Sequence, residues 1–342
     1  MKQVGILLLL VVVCCALCAC SLRATELSRR IILDSVAIDR EGGQYVITAG
    51  WLRIKQDGSE SGAFEGRGDT PGQALRSLEA AAQKPLFYSL AATVLIGGGA
   101  ADDLDVILRF LVEQSDVRIG ASLFYYGGDA GELLRAKTDA RSFGEAAQAL
   151  QEGLSNRKDI SAPLYALADG AYGGGACGYL PVIAAAPADG TKADGDTVEL
   201  RYAGLALCRG GRICALPGED SADMLLLLCG KLHSFTVAVG SGEATITDVR
   251  VRVAACEDGA RGEICVVCAG RAESGAAAGA GAIGEAVKNR LRAAYTICGA
   301  ACIDDIAGLR ARAAAGRASG FVERAPAEDG GGLLFRCEIN TD

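Results

Sequence analysis

SLAATVLIGGGAADDLDVILRFLVEQSDVRIGASLFY, Ser89–Tyr125, contains the change of hydrophobic period that sets the fold class. Ser89 to Ile96 is nearly all apolar, as a strand covered on both faces would be. Asp102 and Asp103 then open a helix, where acidic charge favours the macrodipole. Leu104, Ile107, Leu108, Leu111 and Val112 follow at i, i+3, i+4, i+7, i+8 spacing, the pattern of an amphipathic helix. Val117, Ile119, Ala121, Leu123 and Tyr125 alternate with other residues and predict a strand. A succession of strand, helix and strand implies a mixed α/β fold with sheets and helices in layers.

The flanks extend this reading. Ser35 to Asp39 and Tyr45 to Ile54 are β-prone runs separated by Arg40-Glu41-Gly42-Gly43-Gln44, which predicts a hairpin. Thr70-Pro71-Gly72-Gln73 supplies an N-cap, a proline at N1 and a capping-box glutamine for a helix with Leu75, Leu78 and Ala82 on one face. Downstream, Asp129 with Glu132 caps a short helix, and Ser142 with Glu145 opens another that reaches about Leu154.

From Pro163 to Gly195 the chain is turn-rich and without period, which places the main domain boundary there. Residues 31–190 are expected to form an N-terminal α/β region with subdomains of about 31–115 and 116–190. Residues 191–342 are expected to form a C-terminal domain of antiparallel sheet plus helices. Its strands are predicted over Val198–Cys208, Ile213–Ala215, Ser234–Val239 and Thr245–Ala254, with a closing strand through Leu333, Phe335, Cys337 and Ile339. A long helix carries Ile283, Val287, Leu291, Ala294 and Cys298 at helical spacing, and a second helical stretch runs from about Asp304 to Arg317.

The N-terminus reads as an address. Lys2 precedes an apolar and cysteine-rich run from Val4 to Cys20, which suits a signal peptide better than a bilayer span. It ends in Leu17-Cys18-Ala19-Cys20, the form of a bacterial lipobox, with cleavage between Ala19 and Cys20. Residues 1–19 are then the lipoprotein signal peptide and residues 20–30 a membrane tether. The Cys20 thiol would take a diacylglyceryl group, and acyl chains such as palmitate hold a protein at a bilayer with about 0.8 kcal/mol per buried CH2.

Composition narrows the function classes. The chain of 342 residues has a single histidine, His233, which rules out a HExxH site or any multi-histidine metal site. A net charge of −8 argues against a nucleic-acid partner. Gly279-Ala280-Gly281-Ala282-Ile283-Gly284 matches GxGxxG, yet it lies in an alanine/glycine tract with too little chain after it for a dinucleotide-binding half, so no cofactor is expected. Cys265 and Cys268 form a lone CxxC on a β-prone run, where a spacing of three puts them on opposite faces, so no metal is expected either. Ten cysteines follow Cys20, scattered through apolar patterns; unpaired exported thiols suit a reducing habitat such as that of a sporulating anaerobe. His233 reads as a structural histidine, and no catalytic constellation emerges.

Several strings share a further pattern. Ile31 to Thr48, with Asp39 and Tyr45, is followed by Gly68-Asp69-Thr70 leading into Ala74-Leu75-Arg76-Ser77-Leu78. Lys84-Pro85-Leu86-Phe87, Val94-Leu95-Ile96-Gly97, Leu108-Arg109-Phe110-Leu111, Leu180-Pro181-Val182-Ile183, Gly204-Leu205-Ala206 and Gly230-Lys231-Leu232 continue it. In this order they resemble the Ger(x)C family, the lipoprotein C subunit of bacterial spore germinant receptors. Ser21-Leu22 after Cys20 and Ser89 before the buried strand depart from the family's usual residues. The resemblance implies a non-enzymatic, three-domain α/β protein, one of a multi-domain family, lipid-anchored on the outer face of the inner spore membrane. It would act there with integral-membrane A and B subunits in germination. A solute-binding lipoprotein of a membrane transporter is the alternative, and it would show two similar lobes.

Overall fold

The computed structural model describes residues 30–55, 58–114, 116–172, 178–187, 197–256, 264–272, 279–300, 322–323 and 333–341. Ala19, Cys20 and the helical stretch expected from Asp304 lie outside the described residues.

β1 (Ile31–Glu41), β2 (Gln44–Lys55) and β3 (Gly58–Gly68) form an antiparallel meander, its first turn made by Gly42-Gly43. α1 (Pro71–Ala82) follows, and the Thr70 hydroxyl accepts the Gln73 N–H at 3.2 Å as its cap. Pro71, Ala74, Leu78 and Ala82 are its buried stripe, with Leu75 half-buried beside it. β4 (Leu86–Phe87) pairs with the start of β1, and β5 (Thr93–Gly97), buried at every position, pairs with β1 in parallel. A 3-10 turn (Gly98–Asp103) leads into α2 (Leu104–Glu113), which buries Leu104, Ile107, Leu108 and Leu111 as the spacing required.

β6 (Ser122–Tyr126) is shorter than the expected strand. Leu123, Phe124 and Tyr125 are all buried because the strand lies inside the sheet, whereas Ile119 stands 59% exposed in the loop before it. The alternation over 117–121 is therefore not a strand face. α3 (Ala130–Arg135) and α4 (Phe143–Leu154) begin at the caps read from sequence: Asp129 accepts from the Glu132 N–H and Ser142 from the Glu145 N–H. β7 (Lys137–Thr138) lies between them.

The stretch read as turn-rich holds α5 (Leu164–Tyr172) and β8 (Gly178–Pro187). Both were hidden by composition: β8 is mostly alanine, proline and glycine, residues of low strand propensity, and it is held by the long ladder it makes with β9 (Thr197–Arg209). β10 (Arg212–Ala215) completes a ten-stranded mixed sheet of order β10-β9-β8-β6-β5-β1-β2-β3, with β4 on β1 and β7 on β9. Sheet pairing thus runs across residue 190. The change to the second sheet falls between Ala215 and Phe235.

That interval holds α6 (Glu219–Leu228), unforeseen in a region where strand patterns dominate. The second sheet has the order β11 (Phe235–Val239), β12 (Gly242–Cys256), β13 (Ile264–Ala272), β15 (Leu333–Thr341), with β14 (Val322–Glu323) on β12. It is mixed rather than antiparallel, because β13 and β15 are parallel and joined across α7 (Ala280–Ala300). Ile283, Val287, Leu291, Ala294 and Cys298 of α7 are fully buried, as their spacing demanded. Mixed α/β content in two sheets is the architecture the sequence implied.

Asp39, 5% exposed, stands where the parallel strands of the first sheet end. Its Oδ1 accepts the Arg40 N–H at 2.8 Å and its Oδ2 accepts the Ala130 N–H, at the start of α3, at 3.0 Å. Burial pushes its pKa up, and these backbone donors pull against that. Gly97 must stay bare beside it, since a Cβ there would lie 1.9 Å from Asp39 Oδ2. Gly97→Ala is expected to lower stability by about 2 kcal/mol through overpacking, measured by urea denaturation.

Candidate functional site

A polar cleft of about 790 Å³ opens where α6 meets the second sheet. One wall is the segment after α4: the N–H groups of His233 and Ser234 donate to the Arg157 carbonyl, and the Asp159 N–H donates to Lys231. These bonds seat residues 157–159 against residues 231–234, and Lys158 forms a bridge with Leu232. The floor is the first turn of α6, whose acidic side chains suit the positive end of a helix. The far wall is α7, through Arg290.

Lys158 is the charged centre of the cleft. Its side chain is 5% exposed, with Nζ 2.7 Å from Asp223 Oδ1 and 3.3 Å from Glu219 Oε1. The ammonium also lies 4.6 Å from the centre of the Tyr202 ring, a cation–π contact in a site that excludes most water. Burial raises the pKa of Asp223, and the hydrogen bond and charge of Lys158 oppose that shift. Burial also pushes up the Tyr202 phenol. Arg290 closes the other side, with Nη2 2.7 Å from Asp220 Oδ1 and Nη1 donating to the Thr236 carbonyl at 2.8 Å. Thr236 and Thr245 share a hydrogen bond at 3.2 Å across two strands of the rim. Alternating acids, cations and hydroxyls can fix the orientation of a polar partner; no nucleophile stands beside a general base here.

The residues weighed from sequence lie elsewhere or play other parts. The His233 side chain is exposed, and its structural role belongs to its backbone, which donates to Arg157 and accepts from Val249. Asp103 ion-pairs with Arg40 at 2.6 Å instead of capping α2 by its side chain. Gly279 precedes α7, and a Cβ at Gly279 or Gly281 would meet nothing within 4 Å. Cys208 stands opposite Ile213, one residue from Cys214, so those two cysteines are not register partners. Cys268 of the CxxC pairs in register with Cys337 on β15. That contact, with burial, pushes the Cys268 thiol up, and at Cys337 the same contact lowers the thiol against the opposing effect of burial. No cluster of three or more His, Cys, Asp or Glu able to hold a metal occurs among the described residues. Nor is any described helix long and apolar enough to cross a membrane. Lys158, Asp223 and Arg290 carried no signal in the sequence, because their partners lie some sixty residues or more away.

Residues 23–185 match the family described as the spore germination protein N-terminal domain. The N-terminal part of the chain is thus a spore germination protein domain, in agreement with the Ger(x)C family that its sequence strings resemble. The crystal structure of the GerBC protein is similar, with a TM-score of 0.48 at 12% identity, over 90% of this chain and 96% of that chain. No curated protein sequence matches the chain.

Two stability measurements follow from the cleft. Lys158→Met strands Asp223 in a buried site and is expected to cost about 3 kcal/mol in urea denaturation, most of it recovered in Lys158→Met/Asp223→Leu. Asp159 is the second case. Burial raises its pKa, but hydrogen bonds from the Ser161 hydroxyl and N–H, with the charge of Lys231, outweigh that and leave it lowered. A lowered carboxylate stabilises the fold above its ordinary value, and that contribution is lost as pH falls through the folded value. Asp159→Asn is therefore expected to lower the urea midpoint at pH 6, and the gap to the parent protein should close between about pH 5 and pH 2.

Proposed function

We propose that this chain is the lipoprotein C subunit of a nutrient-germinant receptor, acting without catalysis beside integral-membrane A and B subunits. The observation that carries this reading is the germination-domain match, which starts at residue 23, three positions beyond the lipobox cysteine. A signal peptide ending at Ala19 and an acylated Cys20 would deliver that domain to the membrane surface with little chain between. The protein then sits on the outer face of the inner spore membrane, tethered by its acyl chains. The charged cleft around Lys158 and Arg290 supports a docking role, since its polar groups are arranged for contact and not for bond making.

Affinity purification of the tagged protein from detergent-solubilised spore membranes, followed by mass spectrometry, tests the assignment. Two polytopic germination subunits are expected in the eluate, and Cys20→Ala should remove the chain from the membrane fraction. Recovery from vegetative membranes with an ABC permease would overturn the receptor assignment in favour of solute uptake.

A further inference from the structure

Five large apolar side chains are notably exposed among the described residues, and three of them gather at one end of the first sheet. Leu90 (52% exposed) precedes β5, Ile119 (59%) precedes β6, and Tyr165 (57%) stands at the start of α5. Hydrogen bonds tie their loops together. Ser89 Oγ donates to the Asp116 carbonyl at 3.1 Å, and the Tyr165 N–H donates to the Ile119 carbonyl at 3.1 Å.

The chain enters the first sheet at this same end. β1 is parallel to β5 and β5 to β6, so all three strands begin here. Ile31 pairs with Leu86, its N–H donates to the Pro85 carbonyl, and Arg30 lies over the Phe87 ring at 5.7 Å. From Arg30 back to Cys20 the chain can span at most about 35 Å. The eleven residues of β1 carry the other end of the sheet a similar distance farther off, at about 3.3 Å per residue. An anchor at Cys20 therefore keeps the Leu90–Ile119–Tyr165 end within about 35 Å of the membrane, while the opposite end of the strands can lie about twice as far away.

We propose that this end of the first sheet is laid on the lipid bilayer, with Leu90, Ile119 and Tyr165 entering the boundary between headgroups and acyl chains. The proposal rests on the anchored reading of Cys20 and goes beyond it by naming the face that meets lipid. Lys84 and Arg118 are exposed at this end, but so are Glu113 and Asp116, and charge is nearly balanced. Attraction is thus apolar, and the contact should form on zwitterionic lipid and be insensitive to salt.

The test uses residues 20–342 carrying an N-terminal hexahistidine, held on phosphatidylcholine vesicles by a nickel-chelating lipid. Part of the phosphatidylcholine is brominated, which quenches tryptophan at the acyl boundary. In a Trp51→Phe background, Ile119→Trp is compared with Val106→Trp, an exposed position in the first turn of α2, beyond the opposite ends of the strands. Ile119→Trp is expected to lose about half its emission or more and shift to the blue, while Val106→Trp changes by about a tenth or less. Equal quenching at both positions, or none at 119 while the protein stays bound, would overturn the proposal. A blue shift of Ile119→Trp that grows with protein concentration in the absence of vesicles would also overturn it, giving the face to a second copy of the chain. The nickel lipid makes this readout independent of acylation, which the intact mass of the native protein reports separately.

Discussion

Met224, Leu225, Leu226, Leu227 and Leu228 are consecutive and fully buried, so the second half of α6 has no wet side. A helix can bury such a run only when other elements enclose it all round, and here β9 lies on one side and α7 on another. The same core takes in Phe124 and Leu207 from the first sheet with Ile246 from the second and Ile283 from α7. Each buried leucine contributes about 1.5–3 kcal/mol relative to exposure, so the join between the sheets is stabilised by far more than any ion pair at its rim. The polar cleft is the edge of this contact. Lys158 reaches the acids in the first half of α6 because the apolar second half is fixed beneath the two sheets.

In open α/β sheets, ligands gather where parallel strands end, because backbone N–H groups are left over there. In this protein Asp39 takes the Arg40 and Ala130 N–H groups itself. The strand ends are thus closed by an internal carboxylate, and the groups open to partners lie elsewhere, at the sheet junction and at the opposite end of the strands.

Sequence made the amphipathic elements legible and hid those whose burial is complete or whose partners are remote. α2 and α7 could be read residue by residue because each has one wet face. The Thr70, Asp129 and Ser142 caps followed from local chemistry alone. α6 could not be read, since an unbroken apolar run has no period and fits a buried helix as well as a strand. β8 lacked propensity and exists through its pairing with β9. The alternation through Ile119 looked like a strand face, yet Ile119 faces solvent. The cleft itself was invisible because Lys158 and Asp223 meet only in three dimensions.

β15 joins its sheet in parallel with β13, and all nine of its residues, through Thr341, find partners there. A crossover of this kind cannot form its ladder until the returning strand exists. The first sheet, complete at Ala215, can close while the ribosome is still working, but the second must wait until β15 has been made. Until then β13 has an unpaired edge and the inward stripe of α7 has only part of its cover. The nascent chain is therefore a folded half followed by an adhesive one, and the second half must be kept apart from its neighbours until β15 arrives.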